Sequence, residues 1–362
     1  MGDVQLVSAD SHVNPPPTMW ADYLPKEYRD RAPVVEETDE GQFQVFEGQR
    51  TPILGISAMA GKRPEDYSWN VRRLDEVRSG GWDPDARLVD QDIDGVSAEV
   101  LYGGGPLRSQ DPALTRASYS AYNDWLSDFC STDSARLIGM AYLPTGEPED
   151  TVAEIKRLAG KQTLRGGVIG RFPASGDWFE ERWDPLWEAL IDVGWPAAIH
   201  VGGTGRVAAI PRTDGIGYIV DLLMSKFAMG EAVTTLAVSG VLRRYPGLRV
   251  VSVEGQIGWI SFAHYYLDHL WAKHRFWTGN DLPEPPSVYL KRQVWSTFME
   301  DPVGLRERHH IGVDKIMWSS DYPHSETTWP HSRKLTDEWF TDIPDTDRRL
   351  ILADNCNQLF GL

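Results

Sequence analysis

Short apolar runs recur along the whole chain, and most are followed by a stretch of helical periodicity. Each run has five to eight residues, is rich in β-branched or aromatic side chains and alternates little between apolar and polar. Strands buried on both faces of a parallel sheet have this pattern. Eight strands are therefore predicted, at Val4–Ala9, Gly95–Tyr102, Leu137–Leu143, Gly166–Gly170, Ala197–Val201, Leu248–Val253, Gln293–Phe298 and Lys315–Ser319.

Helical periodicity marks the segments between these runs. Eight strands that alternate with helices favour a closed (β/α)8 TIM-type barrel, with an open doubly wound sheet as the alternative. No GxGxxG motif follows the first strand, which argues against a dinucleotide-binding sheet. The predicted helices include Ala117–Cys130, Glu149–Leu158, Trp183–Val193, Met224–Leu242 and Ile257–Arg275.

Two segments do not fit the alternation. Within an insertion at about residues 26–85, Val34–Glu37 and Gln42–Glu47 flank a Thr-Asp-Glu-Gly sequence and predict a β-hairpin. The rest of the insertion, Arg50–Gly81, is expected to be loop. The second segment is the glycine-rich connection Gly202–Asp221. In a barrel both segments lie at the carboxyl ends of the strands, where long loops build a site or its lid. We expect one domain over residues 1–362.

Composition narrows the class of protein. Acidic residues outnumber basic ones 53 to 36, for a net charge of −17, which disfavours nucleic acid and anionic membranes as partners. No apolar run is long enough to span a bilayer, and the first residues lack the pattern of a signal peptide. Two cysteines, Cys130 and Cys356, make neither a disulfide framework nor a zinc finger. A cytoplasmic protein is expected.

Candidate chemistry begins at the end of the first predicted strand. Asp10 and His12 are two residues apart, so in a strand their side chains point to the same face. A carboxylate and an imidazole are ligands for zinc or manganese. The pair alone is more typical of turn and capping residues than of a metal site.

Three further polar residues end the fifth, sixth and eighth strands: His200, Glu254 and Asp321. Singly, they fit a core histidine, a salt-bridged glutamate and a capping aspartate. In a closed barrel, however, strands eight and one are neighbours and strand five lies across the mouth. The set can therefore converge with Asp10 and His12 on one ion.

Three motifs carry a resemblance to a known family. They are Asp-Ser-His at 10–12, Ala-Ile-His-Val-Gly-Gly at 198–203 and Trp-Ser-Ser-Asp-Tyr-Pro-His at 318–324. Together with Asp83–Gly95 and Tyr245–Arg249, they resemble the amidohydrolase-related metalloenzymes, in the branch typified by aminocarboxymuconate-semialdehyde decarboxylase. The resemblance extends over essentially the whole chain, and the strand-eight motif is its most specific part.

The resemblance implies a distorted β/α barrel, a homodimer and one divalent metal ion, Zn²⁺ or alternatively Mn²⁺. It assigns the ion to Asp10, His12, His200 and Asp321. Strand four offers no lysine for carbamylation, which favours a single ion. At strand six, Glu254 stands where members of the branch commonly have a histidine acting in acid–base chemistry.

The reaction predicted first is hydrolysis of a small organic substrate, in which metal-activated water attacks a carbonyl carbon. Asp321 moves the proton, and Glu254 is a second acid–base group. The alternative is non-oxidative decarboxylation of an aromatic or unsaturated carboxylic acid. Hydrolysis is preferred because a carboxylate at Glu254 repels a substrate carboxylate. The non-enzymatic alternative is a binding barrel without metal.

Substrate contacts are assigned to residues near the strand ends. Arg171 and Arg206 follow strands four and five and can clamp a carboxylate, although surface ion pairs are their commoner use. His324 is either part of the site or a loop residue. Four tryptophans are predicted at the barrel mouth, as an aromatic pocket wall or as packing: Trp20, Trp259, Trp277 and Trp329. His264, His269 and His274 do not share a helix face and are assigned no metal.

Overall fold

Eight parallel strands form the central sheet, side by side in chain order. In this computed structural model, residues 4–53, 56–68, 73–201 and 215–362 are described, and strands are numbered β1 to β11 along the chain. The central strands are β1 (Val7–Val13), β5 (Ala98–Gly103), β6 (Leu137–Tyr142), β7 (Leu164–Ile169), β8 (Ala197–His200), β9 (Val250–Val253), β10 (Val294–Phe298) and β11 (Ile316–Trp318). Every neighbouring pair in this order is parallel.

The first and last strands meet at their carboxyl ends. Asp321 N donates a hydrogen bond to Asp10 O at 3.0 Å, and His12 N donates to Tyr322 O at 2.5 Å. These contacts bring β1 beside the segment after β11 and nearly close the barrel. The predicted TIM-type barrel is confirmed, and the open sheet is wrong.

Helices connect the strands and cover the outside of the barrel. Pro84, Pro112, Pro148 and Pro302 occupy the first helical position of their helices, where a missing N–H leaves no hydrogen bond unmade. The helices are α1 (Met19–Tyr23), α2 (Pro84–Asp94), α3 (Pro112–Cys130), α4 (Pro148–Leu158), α5 (Asp184–Asp192), α6 (Gly215–Val238), α7 (Val241–Arg244), α8 (Ile260–Thr278), α9 (Pro286–Gln293), α10 (Pro302–Ile311), α11 (Ser332–Trp339), α12 (Asp345–Arg349) and α13 (Asn355–Phe360).

The insertion after β1 contains the predicted hairpin, β2 (Val34–Thr38) and β3 (Gly41–Phe46), paired antiparallel. A third strand, β4 (Gln49–Pro52), extends it to a three-stranded sheet, and short 3₁₀ turns follow. The prediction that Arg50–Gly81 is all loop is therefore wrong. All four β4 residues are exposed, so the strand has no apolar face that its sequence pattern would reveal.

Two further predicted boundaries, one of a strand and one of a helix, are wrong. The first strand was expected at Val4–Ala9 but continues to Val13, because the polar residues Asp10, Ser11 and His12 are buried in it. Helix α6 begins at Gly215, within the segment expected to be a connection, and ends at Val238 rather than Leu242. The rest of that connection, residues 202–214, lies outside the described residues.

The core has two layers, which leave the carboxyl ends of the strands for the site. Apolar side chains between the barrel and its helices form the larger layer. Inside the barrel, Val100, Ile138 and Val251 pack with Leu359 and Phe360 of α13. Cys130 and Cys356 are buried free thiols. Among the described residues, no helix has the length and apolar character needed to cross a membrane.

Candidate metal centre

The first two site residues lie on β1, which is buried along its whole length. His12 Nε2 is 3.4 Å from Asp10 Oδ1 and 3.3 Å from Asp321 Oδ1. The backbone bonds between β1 and the segment after β11 hold these three side chains together. The structure therefore joins the strand-one and strand-eight residues that the sequence selected.

His200, the last residue of β8, completes the group from across the barrel. Its Nδ1 lies 2.7 Å from the carbonyl oxygen of Val201, which can only accept, so Nδ1 carries the proton. Nε2 faces the site, 3.5 Å from Asp10 Oδ1 and 3.7 Å from Glu254 Oε2. A carbonyl that fixes the histidine tautomer in this way prepares the opposite ring nitrogen to bind a metal.

Buried polar atoms without hydrogen-bond partners test whether these residues suit an ion. Within the described part of the chain, such atoms converge here: both Asp10 carboxylate oxygens, Nε2 of His12, Nε2 of His200 and Oδ1 of Asp321. Leaving them unpaired would be costly, whereas one divalent ion satisfies all of them. Atoms that bind one ion at about 2.1 Å lie about 3–4 Å apart, as His12 does from Asp10 and Asp321 and as His200 does from Asp10. The residues fit a divalent metal.

The ionisation of the group also suits a cation. Burial alone would raise the pKa of Asp321, but the neighbouring His324 and His12 lower it to about 2. Burial would likewise raise the pKa of Asp10, and His200 and His12 reverse that effect. Both carboxylates are therefore ionised at neutral pH, as metal ligands must be.

Glu254 follows β9 and belongs to the same cluster. Its carboxylate lies with Asp10, His12 and His200 in one group whose ligand atoms are all within 4.8 Å of one another. Burial raises the pKa of Glu254, and the negative charge of Asp321 adds to the effect, while Lys226 opposes it. Glu254 also has a left-handed backbone, with φ at 59°, and Asp321 has φ at 54°. Strained residues of this kind concentrate at functional sites.

Sequence reasoning missed two charged residues of the site. Lys226, buried on α6, places its Nζ 2.8 Å from Glu254 Oε1 and 3.0 Å from Glu326 Oε2. Glu326 follows the strand-eight motif closely. The sequence did contain a signal for Lys226: it is the single lysine in the apolar stretch Leu222–Ala228. A lysine buried in such a stretch requires a charged partner, which indicates a site.

The other residues proposed from sequence do not all lie in the site. His324 lies in the site: its Nδ1 is 3.1 Å from Asp321 Oδ1, and its ring stacks on His12 at 3.8 Å. Arg171 follows β7, and none of the described residues accepts a hydrogen bond from its buried Nε. Arg206 lies outside the described residues. Trp259 precedes α8 and donates its indole N–H to Gly255 O.

Of the remaining tryptophans, Trp277 was wrongly predicted at the mouth. It lies in the last turn of α8, which leads away from the carboxyl end of β9, and it is exposed. Trp20 is buried in the packing layer around Tyr122. Trp329 packs under Arg78 and donates its indole N–H to Asp90 O. Of the three histidines on α8, His264 is buried, whereas His269 and His274 are exposed.

Comparisons with known proteins agree with this geometry. A family model described as amidohydrolase matches residues 9–362. The 2-amino-3-carboxymuconate-6-semialdehyde decarboxylase of Dictyostelium discoideum is 23% identical over 296 residues, which are 79% of each chain.

Solved structures share the fold over almost the whole chain. An amidohydrolase from Mycobacterium avium subsp. paratuberculosis has a TM-score of 0.79 at 20% identity, with 100% of both chains covered. A 5-carboxyvanillate decarboxylase from Novosphingobium aromaticivorans with bound manganese has a TM-score of 0.73 at 20% identity, covering 99% of this chain and 97% of that one. The protein therefore belongs to the amidohydrolase family, in the branch that resembles aminocarboxymuconate-semialdehyde decarboxylase.

Proposed function

We propose that the protein catalyses metal-dependent, non-oxidative decarboxylation of a small aromatic or unsaturated carboxylic acid. The observation that carries the proposal is the ion pair between Lys226 and Glu254. The preference for hydrolysis rested on Glu254 repelling a substrate carboxylate. Because the buried Lys226 ammonium neutralises that charge, the objection to a carboxylate substrate no longer holds.

The names of related proteins support the same choice. The curated relative and the manganese-bound structure are both named as decarboxylases. Hydrolysis, the first prediction from sequence, is supported only by the name amidohydrolase, which the family model carries for members of either reaction and which one solved structure bears without a named substrate. It is the competing outcome of the experiment.

We assign one divalent ion to Asp10, His12, His200 and Asp321. Mn²⁺ is the first choice because a neighbour in fold binds it, and Zn²⁺ is the alternative because two imidazoles and two carboxylates suit either ion. When bound, such an ion attracts substrate oxygens and draws electron density from the bond that breaks.

The reaction requires one proton and no oxidant. The bond between the carboxylate and its carbon breaks, the electron pair stays on that carbon, and CO₂ leaves. We assign Glu254 as the acid that protonates the carbon. Its carboxylate takes up a proton from solvent once the substrate is bound, because burial and the charge of Asp321 raise its pKa, and passes the proton on from Oε2, which faces His200 while Oε1 is held by Lys226. Asp321 lies close to the substrate oxygens. It accepts a proton from a substrate oxygen or returns that proton to it. Solvent then restores the proton on Glu254.

Substrate recognition and assembly complete the proposal. His324 contacts the candidate ligands Asp321 and His12, and we propose that it also contacts the substrate. Arg171 and Arg206 are proposed to bind a substrate anion, and Trp259 to contribute to the pocket wall. A cytoplasmic homodimer that acts on a small molecule is part of the proposal.

The test is a panel of hydroxybenzoic acids and unsaturated acids, with amides and lactones, offered to Mn²⁺-loaded protein in ¹⁸O-water and, separately, in deuterated water. We expect CO₂ release and one deuterium on the product carbon, with no ¹⁸O in that product. Incorporation of ¹⁸O with no CO₂ release would identify a hydrolase and reject the proposal.

Lys226→Met tests directly whether the ion pair between Lys226 and Glu254 allows a carboxylate substrate to bind. With the ammonium gone, Glu254 and Glu326 repel the carboxylate, so KM for the acid should rise about tenfold or more. Glu326→Gln is the matched control, since it keeps the contact between Lys226 and Glu254, and its KM should fall or stay unchanged. An unaltered KM in Lys226→Met would refute the neutralising role.

A further inference from the structure

The backbone that carries Glu254 turns through an unusual conformation. Glu254 and Gln256 are both left-handed, with φ at 59° and 54°. Residues with a Cβ disfavour this conformation, so two of them within three positions persist only where surrounding contacts hold them. Between them lies Gly255, where a Cβ would come within 2.8 Å of Ser252 Oγ. The turn therefore depends on neighbouring segments of the barrel.

The first of these contacts comes from β10. Main-chain pairing between β9 and β10 extends to Ser252, opposite Ser296. Beyond that pair, the N–H of Glu254 donates a hydrogen bond to Oγ1 of Thr297, with 2.7 Å between nitrogen and oxygen. Thr297 is fully buried, so its hydroxyl supplies the partner that this buried N–H requires where the main-chain pairing ends.

The second contact is the carboxylate of Asp301, the residue before α10. Its Oδ2 accepts the N–H groups of Ile257 and Gly258, at 2.8 and 2.6 Å, in the turn that leads to α8. Its Oδ1 accepts the N–H of Gly304 at 2.7 Å and caps α10. One carboxylate thus joins the turn after Glu254 to the start of α10, where unpaired N–H groups favour a negative charge.

The two segments joined by Asp301 pack closely. A Cβ on Gly258 would lie 2.9 Å from Oδ1 of Asp301, and a Cβ on Gly304 would clash with the side chain of Ile257. A side chain at either glycine would push the two segments apart and lengthen the bonds to the carboxylate. Glycine at both positions therefore allows the three hydrogen bonds to form.

We propose that Asp301 is a positioning residue that, together with Thr297, fixes the turn after Glu254 and so directs its carboxylate to the metal centre. Glu254 Oε2 lies 3.7 Å from His200 Nε2, and a proton donor acts only within hydrogen-bond reach of its target. A misplacement of about 1 Å can cost about 100-fold in rate. Asp301 itself takes no part in the chemistry, and its role rests on the proposed role of Glu254 as the acid.

Asp301→Ser separates the two functions of the carboxylate. Serine keeps one oxygen, which can cap α10, and lacks the second oxygen that binds Ile257 and Gly258. In crystals of the Mn²⁺-loaded variant, the distance from Glu254 Oε2 to His200 Nε2 should exceed the wild-type distance by about 1 Å. An unmoved Glu254 in this variant would overturn the inference, whichever reaction the protein catalyses.

Kinetics test whether Asp301 acts through Glu254. The substrate is the best one of the acid, amide and lactone panel, whether it releases CO₂ or is hydrolysed, so rejection of decarboxylation does not decide this test. Asp301→Ser should lower kcat about tenfold or more and leave KM unchanged. Added to Glu254→Gln, it should cause no further loss, because coupled residues depart from additivity. Equal losses in both backgrounds would contradict a positioning role.

Matched variants separate positioning from general damage to the fold. Asp111→Ser is the same exchange at the cap of α3, where Asp111 accepts the N–H of Ala113, and it should leave kcat unchanged. Thr297→Val removes the oxygen that binds the Glu254 N–H and should lower kcat, whereas Thr297→Ser keeps that oxygen and should recover the loss. If Asp301→Ser does not fold, the threonine pair decides: equal kcat values in its two variants would overturn the inference.

Discussion

The guanidinium of Arg87 donates a hydrogen bond to the carbonyl oxygen of His12 at 2.8 Å, and both residues are buried. Arg87 is held in turn by Glu99, 2.6 Å from its Nε, and Glu99 accepts a hydrogen bond from Ser11 Oγ at 2.8 Å. This network attaches α2 to the end of β1. It explains why the segment Asp83–Gly95, which is remote in sequence from the candidate ligands, shares their family resemblance.

Arg87→Lys keeps the positive charge but loses the rigid guanidinium that bonds His12 and Glu99 together. We expect the affinity for Mn²⁺ to fall about tenfold, the lower end of the effect of groups that support metal ligands. A competition titration against a chelator measures it. Arg243→Lys is the control, because the ion pair of Arg243 with Asp281 is exposed. Equal affinities in all three proteins would show that the network does not support the site.

His200→Ala removes one proposed ligand from the side of the barrel opposite β1. The purified variant should bind Mn²⁺ at least about 100-fold more weakly than wild type, since losing a ligand exceeds the effect of losing its supporting contacts. Metal analysis after dialysis checks this. His269→Ala, on the exposed side of α8, should retain the wild-type content. A full equivalent of metal in His200→Ala would exclude His200 as a ligand.

Glu254→Gln keeps the shape of the side chain and removes its acid. Turnover should fall about 100-fold or more, as expected for loss of an acid–base group, while the bound metal stays at one equivalent. Steady-state kinetics and metal analysis on the same sample separate the two effects. Glu307→Gln, an exposed glutamate on α10, should be fully active. Loss of metal together with activity would contradict the acid–base role.

His264 should make stability depend on pH. Burial lowers its pKa to about 4 from the usual 6.5, and Lys291 adds to the effect. Because the unfolded chain binds a proton below pH 6.5 and the folded chain does not, stability is lost as pH falls from 6.5 towards 4. Between pH 7 and 5 this amounts to about 2 kcal/mol.

The corresponding measurement is the drop in Tm between pH 7 and pH 5. It should be about 2–3 °C smaller in His264→Gln than in wild type. His269→Gln replaces an exposed histidine of the same helix and should keep the wild-type drop. If His264→Gln shows the same drop in Tm as wild type, burial of His264 is not the source of the drop.

The barrel was predictable from sequence because strands buried on both faces leave continuous apolar runs. The same signal fails where buried residues are polar. It therefore ended β1 at Ala9, although Asp10, Ser11 and His12 continue the strand. In α6, it failed because apolar residues face solvent as well as the core, so the first half of the helix lacked a recognisable polar face.

The candidate site was predictable only in part. Asp10 lies midway along β1, His200 ends β8 and Asp321 follows β11, and parallel strands bring their carboxyl ends together whatever the sequence between them. Lys226 comes from a helix, and its partner Glu254 is 28 residues away in sequence. Such a contact depends on how α6 packs on the barrel, which spacing does not encode. Hydrolysis was preferred from sequence because the contact between Lys226 and Glu254 could not be foreseen.

The left-handed backbone at Glu254 and Asp321 has a consequence for engineering. Glycine adopts this conformation freely, and asparagine tolerates it better than most residues, whereas other side chains cost about 1 kcal/mol or more. Directed evolution for heat resistance alone would accordingly favour Asp321→Asn and, together with a change that removes the charge of Lys226, Glu254→Gly, because each relieves the repulsion between the two carboxylates. Both changes would abolish the proposed chemistry. A thermostable catalyst must therefore gain its stability elsewhere, and selection must score turnover in every round.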